Sequence, residues 1–194
     1  MIDYKKIVLA IGGSSGSVYA HRLMAKLRDM APEVKVSTIM TDNAMINWQN
    51  EVGDFIASEW TFQHYHIRDF NAPFASGSSD FGTMIICPCS MGLLGRISHG
   101  ISDDLITRSA DVMLKERRKL IIVPRETPYN LIHLRNMMTL TEAGAIICPA
   151  TPSFYSKPKT INDVIDTVVD RIIDLAGLQV STYRWGSKDH TDVQ

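Results

Sequence analysis

Five short runs of aliphatic and β-branched residues punctuate this chain: KIVLAI (6–11), VKVSTIM (34–40), TMIICP (83–88), KLIIVP (119–124) and AIICP (145–149). They are nearly all apolar rather than alternating. A strand with one wet face alternates apolar and polar residues, whereas a strand covered on both faces reads as an unbroken apolar run, so these runs predict a parallel sheet with helices on either side. Helical patterns lie between them, over Ser15 to Arg28, Thr41 to Gln49, Ser90 to His99 and Asp103 to Lys115. A further helix has Pro128 near its start and Gly144 just past its end, the usual asymmetry of helix punctuation. The clearest helix opens at Thr160, a capping residue, and sets Ile161, Val164, Ile165, Val168, Val169, Ile172 and Ile173 on one stripe. Strand and helix in alternation predict a doubly wound α/β fold, with the ligand site at the carboxyl ends of the strands. At 194 residues the expectation is a single domain over 1–194. The segment 54–79 is weakly patterned and closes on APFASGSSDFG, which reads as a loop over the site.

Lys and Arg total 20 against 21 for Asp and Glu, a net charge of -1 that supplies no long-range field for nucleic acid or an anionic membrane. Any phosphate site is therefore local. The apolar run Ile7–Ile11 meets two glycines at once and is too short for a signal peptide or a membrane span, which points to the cytoplasm. Cys87, Cys89 and Cys148 are too few for a disulfide framework. With no second Cys/His pair at ligand spacing they read as small apolar residues at strand ends, and no metal site is expected.

Three strand-to-helix turns carry candidate chemistry. After the first strand comes GGSSGS, Gly12 to Ser17. Its glycines allow close backbone approach, and its serines put hydroxyls beside free helix N–H groups, which suits a phosphate or a flavin edge. A merely tight turn would read the same, since this is not G-x-G-x-x-G. After the third strand CPCSMG, Cys87 to Gly92, repeats the arrangement, with Ser90 able to cap the next helix and Gly92 leaving room for a ligand. The strand KLIIVP delivers Arg125 and Glu126 at its carboxyl end. A charged pair there is costly unless it meets a ligand or partner; arginine offers a fork suited to phosphate, and a carboxylate can exchange a proton with a ring nitrogen. Arg117 and Arg118 read instead as a solvated basic helix end that complements the macrodipole. The six histidines, among them His133 and His190, show no triad order. Ser15 lacks the G-x-S-x-G elbow, which disfavours acyl transfer.

The stretch SADVMLKERRKLIIVPRETPYNLIHLRNMMTLTEAGAIICPATPSFY closely resembles UbiX-type flavin prenyltransferases, as do GGSSGSVYAHRL, APFASGSS, ICPCSMGLL, TINDVIDTVVDRIIDLAGL and YRWG (183–186). The resemblance implies a flavodoxin-like fold in a dodecamer that binds FMN and dimethylallyl monophosphate. It implies transfer of the prenyl group to N5 and C6 of reduced FMN, giving prenylated FMN as cofactor for a UbiD-type decarboxylase. By the same resemblance Gly13, Ser14, Ser15, Thr41, Ser90, Met91, Gly92, Leu93 and Arg125 hold FMN. Glu126 is the acid beside N5, and Glu51 works with Ser15 in proton transfer. Lys115, Tyr155 and Arg171 hold the prenyl phosphate, with Arg108 as helper, and the tail 176–194 contacts a neighbouring subunit.

Three departures stand out. Phe70 replaces a family tryptophan and is a weaker cation–π wall. GGSSG replaces GASG, and Asp104 replaces an asparagine. Two other readings share the flavin: a cysteine decarboxylase of the wider superfamily, and a non-catalytic flavin carrier.

Overall fold

The structure, a computed structural model, describes residues 1–186. His190 and the end of the expected tail lie outside the described residues. In chain order the elements are β1 (Asp3–Ile11), α1 (Ser17–Arg28), β2 (Lys35–Met40), α2 (Asp42–Glu51), β3 (Gln63–Tyr65), β4 (Phe81–Cys89), α3 (Met91–Ser98), α4 (Leu105–Lys115), β5 (Lys119–Pro124), α5 (Leu131–Glu142), β6 (Ile146–Ile147) and α6 (Ile161–Ala176). The strands form one parallel sheet in the order β3-β2-β1-β4-β5-β6. Without the three-residue edge strand β3, the order is the flavodoxin-like one of a five-stranded doubly wound sheet.

The apolar runs are buried on both faces, as their composition requires. Ile7, Leu9 and Ile11 of β1 pack with α1, Trp48 of α2 and α6, while Val8 and Ala10 pack with Phe74, α3 and α4. Side chains alternate across a strand, so these are the two sides of the sheet. On the first side α1 and α6 are clasped by charge. Arg22 holds Asp166 through two bonds of 2.7 Å, and Lys26 reaches both Asp166 and Asp170.

The segment 54–79 is not merely a loop. Gln63, His64 and Tyr65 pair with Ser37, Thr38 and Ile39 as β3. Aromatic packing anchors the surrounding chain: Tyr65 meets Phe74 at 4.9 Å, Phe74 meets Phe81 at 5.2 Å, and Phe55 meets Trp48 at 5.3 Å. Scattered rings have no period, so pattern reading misses them.

Other expectations shift at the edges of elements. Ile161, placed on the buried stripe of α6, is 79% exposed because it occupies the first turn, ahead of the sheet contact. The helix expected from Asp103 begins at Leu105, with Asp104 as its cap, accepting from Thr107 N at 2.8 Å in a capping box. Arg118, expected in solvent, is buried and donates to the carbonyls of Phe81 and Gly77 at 3.1 and 2.5 Å. It ties the end of the 73–79 loop to the start of β4.

Candidate functional site

The chain runs from β1 outward to β2 on one side, and from β4 outward to β5 and β6 on the other, so the carboxyl ends of β1 and β4 flank the switch point where ligands bind in sheets of this kind. The Gly12–Gly16 turn lies there. Gly12 N donates to Pro88 O at 2.9 Å, which ties the turn to the end of β4. A Cβ on Gly12 would lie 2.7 Å from that carbonyl, and one on Gly13 would lie 2.5 Å from Asn43 Cβ. Glycine is therefore required at both positions. Ser15 is exposed, and its carbonyl accepts from Arg125 Nε at 2.7 Å, which pins the arginine of the third turn against the first.

The N–H groups opening α1 are not free, contrary to the sequence expectation. Glu51 accepts from Gly16 N at 2.9 Å and from Ser17 N at 2.7 Å, so a carboxylate already fills the positive end of this helix. Asn47 Nδ2 donates to Gly13 O at 3.0 Å from the same helix, α2. Asn43, Asn47 and Glu51 are spaced four apart and form one polar stripe facing the turn. That spacing was legible in the sequence and marks Asn43 and Asn47 as residues the motif reading passed over. Tyr19 is a third. It lies beside Gly16, and burial raises its hydroxyl above the ordinary tyrosine range, with Cys87 adding to the effect and Arg125 opposing it.

The remaining turns converge on the same end of the sheet. Thr41 caps α2 by accepting from Ala44 N at 3.0 Å, and Ser90 caps α3 by accepting from Leu93 N at 3.3 Å. The side chains of Met91 and Leu93 are buried, so only their backbone can face a ligand. A Cβ on Gly92 would meet nothing within 4 Å, which leaves open space over the α3 N-terminus. Arg125 and Glu126 are half-buried, and Glu126 Oε1 accepts from Thr127 N at 3.1 Å.

These turns fit a flavin by one independent observation. Ser14 is 8% exposed, and its Oγ has no hydrogen-bond partner. A buried hydroxyl without a partner is costly, and a polar ligand edge would satisfy it. Glycines that bring the backbone close, capped helix starts and an arginine held across the crevice complete a cradle for a flat, anionic molecule. Among the described residues no group of three or more His, Cys, Asp or Glu side chains could hold a metal ion, and no helix is long and apolar enough to cross a membrane.

The expected phosphate residues do not join this cluster within one chain. Lys115, at the end of α4, is exposed and pairs with Glu116. Strand β5 alone, six residues at about 3.3 Å each, separates it from Glu126 by roughly 20 Å. Arg108 shares its helix and donates to Ala75 O at 3.0 Å, beside the loop that also carries the exposed Phe70. Arg171 lies on α6, across the sheet from α4. Tyr155 is 68% exposed, with its ring 5.1 Å from that of Trp185. A cavity of about 1000 Å³ lies along α6 and reaches Arg171, Asp174 and Arg184, with Cys148, Pro149 and Thr151, just past the carboxyl end of β6, on its wall.

A doubly wound sheet with a glycine-serine cradle at its switch point defines a flavin-binding α/β protein, and the Flavoprotein family model matches residues 1–173. Flavin prenyltransferase UbiX of Methanocaldococcus jannaschii is 43% identical over 185 residues, which cover 94% of this chain and 99% of the relative. A dodecameric FMN-dependent UbiX-like decarboxylase from Escherichia coli O157:H7 superposes with a TM-score of 0.88 at 36% identity, covering 94% of this chain and 100% of that one. AnUbiX (PadA1), solved with FMN and dimethylallyl pyrophosphate, gives 0.83 at 39% identity, covering 92% and 98%. The chain belongs to the UbiX flavin prenyltransferase family.

Proposed function

We propose that this protein joins the dimethylallyl group of dimethylallyl monophosphate to N5 and C6 of reduced FMN, and that the prenylated FMN passes to a UbiD-type decarboxylase. The observation that carries the reading is the cradle at the switch point, with the unpartnered Ser14 hydroxyl at its floor. Gly13, Ser14, Ser15, Thr41, the Ser90–Leu93 turn and Arg125 would hold FMN there. Reduced FMN supplies the electron-rich ring atoms that form the two new bonds to carbon.

The protein's part is charge, orientation and proton movement. As the allylic C–O bond breaks, its electron pair leaves with the phosphate; Lys115, Arg171 and Arg108 offset that charge, and Tyr155 adds a neutral donor. Phe70 contributes an aromatic wall for the allylic carbon. Glu126 exchanges the proton at N5. Glu51, fixed by the two N–H groups of α1, works with Ser15 on the proton released as the second bond forms.

Lys115 and Arg171 lie on opposite faces of one sheet, so the complete site takes side chains from more than one copy of the chain. A homo-oligomer, a dodecamer by likeness to its E. coli relative, brings the α4 cations of one subunit and the tail of another to the cradle of a third.

Anaerobic incubation of the protein with reduced FMN and dimethylallyl monophosphate, followed by mass measurement of the extracted flavin, tests the reading. The expected product is FMN heavier by one prenyl group. Unchanged FMN recovered from flavin-loaded protein would leave a flavin carrier instead.

A further inference from the structure

Helix α2 grips the first turn through three hydrogen bonds. Glu51 accepts from Gly16 N and Ser17 N, which finishes the start of α1. The third bond acts on a different peptide: Asn47 Nδ2 donates to Gly13 O at 3.0 Å and so holds the unit that joins Gly13 to Ser14. One turn back on the same helix, Asn43 packs directly on Gly13, where a Cβ would lie 2.5 Å from its own. Gly13 has no side chain to resist rotation about its ψ, so the direction of this peptide depends on an external hold.

The Gly13–Ser14 bond is trans, and in a trans peptide the C=O and the N–H point in opposite directions. Fixing Gly13 O on α2 therefore turns the Ser14 N–H away from α2. Helix α2 follows β2, which flanks β1 on one side, whereas β4 flanks it on the other, so the N–H is directed to the crevice between β1 and β4. Among the described residues the Ser14 N–H has no acceptor, and the Ser14 Oγ has no partner either, although the residue is buried. Two unpartnered polar groups on one buried residue call for a ligand.

We propose that Asn47 is a positioning residue which, by holding the Gly13 carbonyl, presents the Ser14 N–H to an acceptor on the isoalloxazine ring of FMN. The inference rests on the assignment of FMN to this cradle made above. The ring rather than the phosphate is the partner, because the Glu51 carboxylate already fills the adjacent α1 N-terminus and repels a second anion there. A donor aimed at a ring acceptor favours reduced flavin over oxidised flavin, since reduction adds electron density to the ring and a bond to the more charged acceptor is the stronger one. Asn47 thus sets the reduction potential of the flavin without touching it.

The test is anaerobic titration of oxidised and of reduced FMN into the full chain, with the midpoint potential of the bound flavin measured separately. Asn47→Leu keeps the side-chain shape and removes the donor. It is expected to raise Kd about threefold for oxidised FMN and about thirtyfold for reduced FMN. The tenfold difference lowers the midpoint potential by about 30 mV for a two-electron couple. Asn47→Ala, which adds no bulk and favours the helix, is expected to give the same shift and decides the matter if the leucine variant fails to fold. A purely structural tie between α2 and the turn would lower the unfolding free energy and weaken both redox forms alike. A donor aimed at the phosphate would likewise leave the potential unmoved. Equal changes in the two Kd values, or an unshifted potential, in a folded variant would therefore overturn the positioning role. If the unsubstituted chain binds no FMN, the function itself is refuted and this inference with it; if it binds and prenylates FMN while the Asn47 variants keep the parent potential, the inference alone falls.

Discussion

Glu126 follows directly on a buried strand and Arg125. Glu126→Gln keeps the shape and the bond from Thr127 N but removes the exchangeable carboxyl proton. It is expected to bind FMN as the parent does and to lose roughly 10²–10⁴-fold in prenylation rate, the usual worth of a general acid–base. The rate of appearance of heavier flavin measures this, and a wild-type rate would remove Glu126 from the mechanism. The same stretch shows the reach of sequence at this scale. Arg125 and Glu126 were legible as a charged pair at a strand end, and they sit at the cradle. Arg118 looked as solvated as Arg117 yet is buried on two carbonyls, because residue type does not reveal which arginine the 73–79 loop will fold against.

Asp104 shows how an element tolerates a departure. It caps α4, accepting from Thr107 N, and receives Arg96 Nη1 at 2.7 Å. Asparagine caps a helix as well as aspartate does but carries no charge. Asp104→Asn should therefore cost under about 1 kcal/mol of unfolding free energy, whereas Asp104→Ala, which removes the cap and leaves Arg96 with Asp103 as its remaining carboxylate, should cost about 2 kcal/mol. Urea unfolding of the two variants separates these terms, and equal losses would mean that the ion pair, not the cap, is what matters. The long helices and five of the six strands among the described residues were legible because their periods span ten residues or more, or because their runs are nearly all apolar. β3 was not legible. Three residues, QHY, contain no pattern, and they become a strand only because the edge of β2 offers unpaired backbone groups.

For the whole molecule, α5 is the element a single chain leaves unfinished. It buries only Asn136 and Leu140, while Leu131, Ile132, Leu134 and Met138 are 50–65% exposed. A patch of this kind marks an interface. Ile132→Glu with Leu134→Glu is expected to reduce the sedimenting mass of the proposed assembly and, because the proposed site draws on more than one copy, to abolish prenylation while the secondary structure persists. An unchanged mass would place the contact elsewhere. Acid should weaken the fold in two steps. Burial pushes His21, between Trp48 and Trp60, and His64 below the ordinary histidine value near 6.5. Below that value the unfolded chain binds more protons, so their contribution is complete above pH ~6.5 and is lost as pH falls from there. Burial pushes Asp166 upward, but the Arg22 and Lys26 contacts outweigh it and hold the carboxyl below its ordinary range, so its contribution disappears only as pH drops beneath about 3.9. Thermal melts between pH 8 and 3 should show both steps, and His21→Phe should flatten the first.

What the sequence determined by itself was everything set by local pattern and covalent neighbourhood. Apolar runs dictated a doubly wound parallel sheet, glycines and capping hydroxyls dictated where chain could approach a ligand, and a strand end dictated where Arg125 and Glu126 would emerge. What only tertiary structure decided was which groups meet. It placed Glu51 on the N–H groups of α1, so that the N-terminus that looked open to a ligand was already filled. It left the Ser14 hydroxyl without a partner, set Lys115 and Arg171 on opposite sides of a sheet, and joined Arg171 to Arg184 through Asp174. Those outcomes depend on contacts between residues tens of positions apart, and on burial that a side chain acquires only when the layers close around it.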